Sequence, residues 1–204
     1  MDTRSSALIV TLASLLLAAP VAAQGEEPSP GAGPSASPAS SIVGDAVRRD
    51  LYLDMPYTIG GFEPDIVITR GEEHLAGLDP DDEADARTRA ELDRLLEDTG
   101  TTIEDMTSGY ALVSQEDFFA FVVGVRLDGA EPGAMLPAYL PILYEDLVDP
   151  TGQAGSLGGK DVVVISSEGD GGDYVALYVY DEGDTIWMVQ GPEDVVERTL
   201  EGLP

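Results

Sequence analysis

Residues 174–190 read YVALYVYDEGDTIWMVQ. Two runs of β-branched and aromatic residues flank an acidic turn containing glycine, which is the pattern of a β-hairpin. With Glu182-Gly183 as a two-residue turn, Tyr180 faces Thr185, Tyr178 faces Trp187 and Ala176 faces Val189. Successive strand side chains point to opposite faces, so this register sorts them into two sets. Val175, Leu177, Val179, Ile186 and Met188 form an aliphatic face suited to packing under helices. Tyr174, Tyr178, Tyr180 and Trp187 line the other face with rings whose OH and NH tips want water or a partner. That ring-lined face is the candidate ligand-binding surface. The plainer reading is a second packed layer or a half-wet sheet, because aromatic residues are common strand formers.

Strand signals continue on both sides of the hairpin. Asp161 to Ser166 (DVVVIS) precedes it, and a helix follows from Pro192, with Glu193 and Asp194 in its first turn and Val196, Leu200 and Leu203 as its apolar stripe. Upstream, Asp65 to Arg70 (DIVITR) alternates as a strand, and Tyr110–Ser114 with Phe118–Leu127 reads as a hairpin turning at Gln115-Glu116. Phe118 to Val125 is apolar on both faces, as a central strand is.

Two further helices are predicted. The first covers about Glu83 to Thr99, with Thr88, Leu92, Leu95 and Leu96 on one face and Gly100 as its left-handed C-cap. Arg87–Glu91, Arg89–Asp93 and Arg94–Asp98 pair on its wet side. The second, Met135 to Leu147, contains Pro137 and Pro141 and so must start late or kink. Leu75–Glu83 and Asp149–Gly159 read as loops, and Val43–Met55 fits a helix or a strand equally well.

Strand, hairpin and helix thus occur as 65–70, 110–127 and 135–147, and again as 161–166, 174–190 and 192–203. The predicted fold is α+β: one antiparallel sheet built from two strand–hairpin–helix pseudo-repeats, with helices mainly on one face.

Gly158-Gly159-Lys160-Asp161-Val162, Tyr178-Val179-Tyr180, Gly183-Asp184, Trp187, Val189, Leu200 and Leu203-Pro204 form a spaced closing pattern. Met55-Pro56, Ile59-Gly60-Gly61 and the run Val125-Arg126-Leu127-Asp128-Gly129-Ala130-Glu131-Pro132 extend it upstream. Over most of residues 50–204 this layout resembles uncharacterised exported α+β proteins of GC-rich bacteria. The resemblance rests on structural glycines and apolar spacing. It implies the fold, and because that family has no assigned activity it lends no catalytic residue.

Met1 to Ala23 has the form of a secretory signal peptide: Arg4 near the start, an apolar run from Ala7 to Ala19, and Val21-Ala22-Ala23 before the cleavage point. The apolar run is shorter than the roughly 20 residues a membrane span needs. Export with cleavage near Gln24, and no transmembrane segment in the mature form, is therefore expected. Gln24 to Ser41 (QGEEPSPGAGPSASPASS) holds no large apolar residue and reads as a linker. Residues 42–204 then make one α+β domain.

The chain has 39 acidic against 10 basic residues, a formal net charge of −29. Such a surface repels phosphate backbones and anionic lipid, which excludes nucleic acid and favours cationic partners. Asn is absent and Lys160 is the sole lysine. GC-biased codons explain both absences, and a high-salt habitat is the competing explanation. Absence of cysteine removes disulfides, thiolate metal ligands and thiol nucleophiles.

His74, the one histidine, follows Glu72-Glu73 and reads as a surface residue at a strand end, so a Ser-His-Asp triad is unsupported. The stretch before Lys160 falls short of a phosphate loop, with Ala154 in place of the first glycine and Asp161 in place of the hydroxyl. Weak calcium binding is the metal expectation, at Asp79, Asp81 and Asp82 beside Glu83 and Asp85, and at Glu168, Asp170 and Asp173. No other cofactor is expected.

The leading functional expectation is an exported, non-catalytic domain that binds a small apolar, peptide or sugar ligand at the ring-lined sheet face or a helix–sheet cleft. A secreted carboxylate-dependent hydrolase would instead need a buried acid with a raised pKa. A structural surface protein would need neither ligand nor pocket. Because net repulsion of this size opposes the compact state, added salt should raise the melting temperature through screening. Thermal melts followed by circular dichroism across a salt series test this; a flat or falling response means the acids are compensated locally.

Overall fold

The two-faced hairpin demands a layer on each side, and the chain supplies both. The computed structural model describes residues 51–204 except 117, 148–149 and 169–173. The expected signal peptide, the linker and positions 42–50 lie outside the described residues, as do Asp170 and Asp173. Residues 51–54 are helical, and the elements that follow are β1 (Asp65–Arg70), α1 (Gly71–Gly77), α2 (Glu83–Thr99), a 3₁₀ turn (Ile103–Asp105), β2 (Met106–Gln115), β3 (Phe118–Leu127), α3 (Met135–Asp146), β4 (Thr151–Leu157), β5 (Lys160–Glu168), β6 (Tyr174–Glu182), β7 (Thr185–Gln190) and α4 (Glu193–Gly202). No helix among the described residues is long and apolar enough to cross a membrane.

The strands form one antiparallel sheet in the order β1-β2-β3-β7-β6-β5-β4. The fold class is α+β, as predicted. In the β6–β7 hairpin Glu182 pairs with Thr185, so the turn is Gly183-Asp184, one residue later than predicted. Gly183, at φ 64°, supplies the left-handed first position that a two-residue hairpin turn requires. The shift is of two in register, so the buried side chains keep their predicted faces, but Tyr180 rather than Tyr178 sits directly opposite Trp187.

On one face, Leu92, Leu95 and Leu96 of α2 and Met135, Tyr139, Ile142 and Leu143 of α3 pack over Val123, Val125, Leu177, Val179, Ile186 and Met188. On the other, Val196, Leu200 and Leu203 from the α4 region join Leu51, Met55 and Ile59 over Val122, Tyr180, Trp187 and Val189. The expectation of helices mainly on one face therefore needs correcting, because α4 and the 51–59 segment close the second.

This also removes the pseudo-repeat as drawn. The triples β1-β2-β3 and β5-β6-β7 do meet at the β3–β7 pair. A two-fold axis through an antiparallel pair keeps each face on itself, so it would place α3 and α4 on the same side. They lie on opposite sides, and β4 has no counterpart in the first half.

Glycines open the second core. Gly109 and Gly124 are paired across β2 and β3. A Cβ on Gly109 would collide with the end of Met55, and one on Gly124 would come within 2.8 Å of the Trp187 ring. Their missing side chains let the 51–55 segment and the indole settle onto the sheet.

One predicted loop, Asp149–Gly159, holds an ordered strand, and the other, Leu75–Glu83, begins inside a short helix and is otherwise a loop. The Gly-rich stretch after 150 forms β4, an exposed edge strand paired with β5 from Thr151↔Ser166 to Leu157↔Lys160. Backbone pairing makes it a strand, with no apolar alternation to announce it. It turns at Gly158-Gly159, followed by strand and not by helix, so the rejected phosphate loop is a hairpin. Residues 71–77 form α1, where Glu73 accepts a hydrogen bond from the Arg70 amide and His74 turns inward.

Gly158, at φ 57°, lies against α4, where a Cβ would sit 2.6 Å from the Glu197 carbonyl oxygen. Gly159, at φ 78°, has open space around it. Gly158→Ala should cost about 1–3 kcal/mol through backbone strain and the contact together. Gly159→Ala should cost about 1 kcal/mol from the left-handed backbone alone. Urea midpoints compare them, and equal losses would show that the packing of α4 on this turn contributes nothing.

Candidate functional site

The ring-lined face is not a surface. Trp187 is fully buried and Tyr180 is 2% exposed, both beneath α4 and the 51–59 segment. Tyr178 is half-buried at the margin. Tyr174 lies in β6, and its side chain is outside the described residues. The Tyr180 hydroxyl donates to the Pro204 carbonyl oxygen at 3.2 Å, and Lys160 Nζ stands 5.5 Å from the Tyr180 ring centre. Burial first, and the Glu182 charge second, hold the Tyr180 hydroxyl above its ordinary pKa; burial and Glu193 do the same for Tyr178. The sheet-face half of the expected binding surface is thus core. The physical reason is that α4 and residues 51–59 carry apolar stripes of their own, and this face is where they can be buried.

Among the expected cation ligands, Asp79, Asp82 and the neighbouring Asp85 take part in local turn hydrogen bonds. Asp82 caps α2 by accepting from the Ala84 and Asp85 amides at 2.9 and 3.2 Å. Asp79 accepts from the Asp81 amide at 3.0 Å, and Asp85 from the Asp79 amide at 2.7 Å. Glu168 ends β5. No group of three potential ligands converges among the described residues.

His74 corrects a second expectation, since it is 2% exposed rather than at the surface. With Thr88, Glu91, Leu92, Leu95, Met106, Tyr139 and Ile142 it lines an internal cavity of about 20 Å³. Glu91 is the one buried carboxylate among the described residues, and Arg87 holds its Oε1 at 2.9 Å. A His and a Glu in one cavity are the ingredients of acid–base chemistry. A volume near that of a single water admits no substrate, so here they serve the core. Their neighbours explain the placement: Thr88, Glu91 and Leu92 lie on the face of α2 turned to the sheet.

A groove at the edge of the second core survives as the candidate site. It is lined by residues 53–58 on one wall and by Arg198, Thr199, Gly202, Leu203 and Pro204 on the other, and encloses about 510 Å³. Met55 and Leu203, both buried, give it an apolar floor, while Leu53 and Tyr57 stand 56% and 72% exposed at its rim. Asp54 is tied to Arg126 Nη2 at 2.6 Å, and Arg126 Nε donates to Thr185 Oγ1 at 3.0 Å, which pins the wall to β3 and β7. Arg198 is occupied by Asp194, with Nη2 on Oδ2 at 2.7 Å and Nε on the carbonyl oxygen at 2.9 Å.

Sequence reasoning missed this groove because residues 51–55 fitted two secondary structures. The available signal was the helical option: with Leu51 and Met55 buried on one side of a turn, Leu53 must face outward. Comparison with protein-family models, curated proteins and solved structures finds no match to this chain.

Tyrosines that keep their proton more tightly folded than unfolded lend stability below the ordinary value of 10.0 and lose it as pH rises above that value. Denaturation followed by Trp187 emission should therefore show stability level up to about pH 10 and declining beyond. Tyr180→Phe should flatten that decline and cost about 1 kcal/mol at neutral pH from the lost hydrogen bond to Pro204. An exposed, readily quenched Trp187 in the free protein would contradict the sealed face.

Proposed function

We propose that this chain is an exported, non-catalytic binding domain whose ligand docks in the groove between residues 53–58 and the C-terminal end of α4. The observation that carries the reading is the pairing of two exposed apolar side chains, Leu53 and Tyr57, with a floor of buried apolar ones in a cleft of about 510 Å³. That volume falls within the range of ligand sites, about 300–1,000 Å³. Export is supported by the N-terminal apolar run and its small-residue cleavage pattern.

A hydrolase is the less favoured reading, because the buried Glu91 and His74 face a cavity no substrate enters. The groove has the ion-paired Asp54 as its one lining carboxylate, where paired-carboxylate chemistry needs two acids facing the substrate.

The test is a backbone NMR titration of the full chain with small apolar fragments and short peptides. Shifts should concentrate at residues 53–58 and 198–204, and Tyr57→Ala should abolish them without changing the circular dichroism spectrum. Shifts elsewhere, or none with any probe, would remove the groove as a ligand site. Sequencing of exported material should find an N-terminus near Gln24, and an intact Met1 there would remove the export reading.

A further inference from the structure

We infer that the outer edge of β4 pairs antiparallel with the same edge of a second copy of this chain, joining two sheets across a two-fold axis. The inference is independent of the groove and rests on how the two edges of the sheet differ. β4 closes the strand order, and among the described residues it pairs with β5 alone. Thr151 to Ser156 are all exposed. Along a strand the backbone N–H and C=O groups point alternately to its two sides, so about half of the β4 residues aim theirs away from β5 and into solvent. Such a row is a template for another strand.

Exposed edges are ordinarily guarded by charge or proline within the strand, or by a bulge. The opposite edge of this sheet carries such a guard: β1 opens with Asp65 and closes with Arg70, so a strand laid on it must pass both charges. β4 reads TGQAGSL, with neither charge nor proline. Its pairing with β5 runs without a break from Thr151↔Ser166 to Leu157↔Lys160, so no bulge turns the edge away.

Charge and order both favour a second copy as the occupant. Two chains of net charge −29 repel over most of their surfaces, and their docking needs a contact where no carboxylate meets its counterpart. When β4 pairs with itself, every register within the strand sets neutral side chain against neutral side chain. A free peptide would have to be ordered on binding, whereas β4 is already extended and held by β5, so neither copy loses backbone freedom in the strand. Two-fold pairing also uses both neutral edges at once, which closes the assembly at two and leaves the charged β1 edges outermost.

The experiment is sedimentation velocity of the full chain over a concentration and salt series, with amide hydrogen exchange on the same samples. A monomer–dimer equilibrium should appear and strengthen as salt screens the net charge. The outward amides of residues 151–157 should exchange more slowly as concentration rises, while residues 65–70 do not change. Ala154 is exposed at the middle of the strand, so Ala154→Lys and Ala154→Glu each bring like charges together across the axis. Each should weaken the dimer about fivefold, the scale of one unfavourable cross-strand pair. Mixing the two variants should restore it, because Lys then meets Glu. Unchanged circular dichroism confirms that both variants fold.

A single copy at every concentration and salt would overturn the inference. So would slow exchange of the outward amides that does not depend on concentration, because the chain itself would then cover the edge. Dimers lost in Tyr57→Ala but kept in both Ala154 variants would overturn it by placing the second copy on the groove side. Growth past two copies would overturn the two-fold closure. Ligand shifts at residues 53–58 and 198–204 are read separately, so the groove stands or falls on its own test.

Discussion

The indole of Trp187, laid across the bare backbone of Gly124, is the contact on which the second half of the molecule depends. A ring of that size on a central strand must be covered, and truncating such a residue costs about 3–5 kcal/mol. Its cover is α4 together with residues 51–59, and both reach the sheet because Gly109 and Gly124 leave room for Met55 and the indole. Among the described residues the Trp187 Nε1 hydrogen finds no acceptor, a penalty that the burial of the whole ring outweighs. Where the cover ends, at Tyr57 and Pro204, the groove begins. Core and candidate site are therefore two sides of one packing decision.

Polar contacts near the groove have one theme. Arg126 joins the 51–54 turn to β3 and the β7 terminus, and Asp194 holds Arg198 along its own helix. Each is partly or largely exposed, so each contributes little net stability; their effect is to fix the groove walls in place. Tyr180 adds a hydrogen bond that fastens Pro204 over the ring cluster.

Much of the architecture could be read directly from the residues. The helix at 83–99 has the predicted bounds and the predicted Gly100 terminus, because periodicity and capping are local properties. The strands at 65–70 and 118–127 appear as expected, and the buried residues of the 174–190 hairpin take the faces that alternation assigned to them. Arg87 and Glu91 pair at i,i+4 as spacing suggests, although Glu91 is buried rather than on the wet side of the helix. Arg94 instead reaches Glu145 of α3 at 3.0 Å, a partner 51 residues away that helical spacing does not announce.

What the amino-acid order determined by itself was the class of fold, the acidic surface and the division of each strand into two faces, all consequences of period and composition acting within a few residues. What only the tertiary structure decided was which layer lies over each face: whether rings would be wet or sealed, whether His74 would be outside or inside, and whether a glycine-rich stretch would pair as β4. Those outcomes turn on contacts between segments distant in the chain. Alternation says that a face is apolar, and an apolar face can equally await a ligand or a helix of its own chain. Here the helix took it, and the opening moved to the helix's edge.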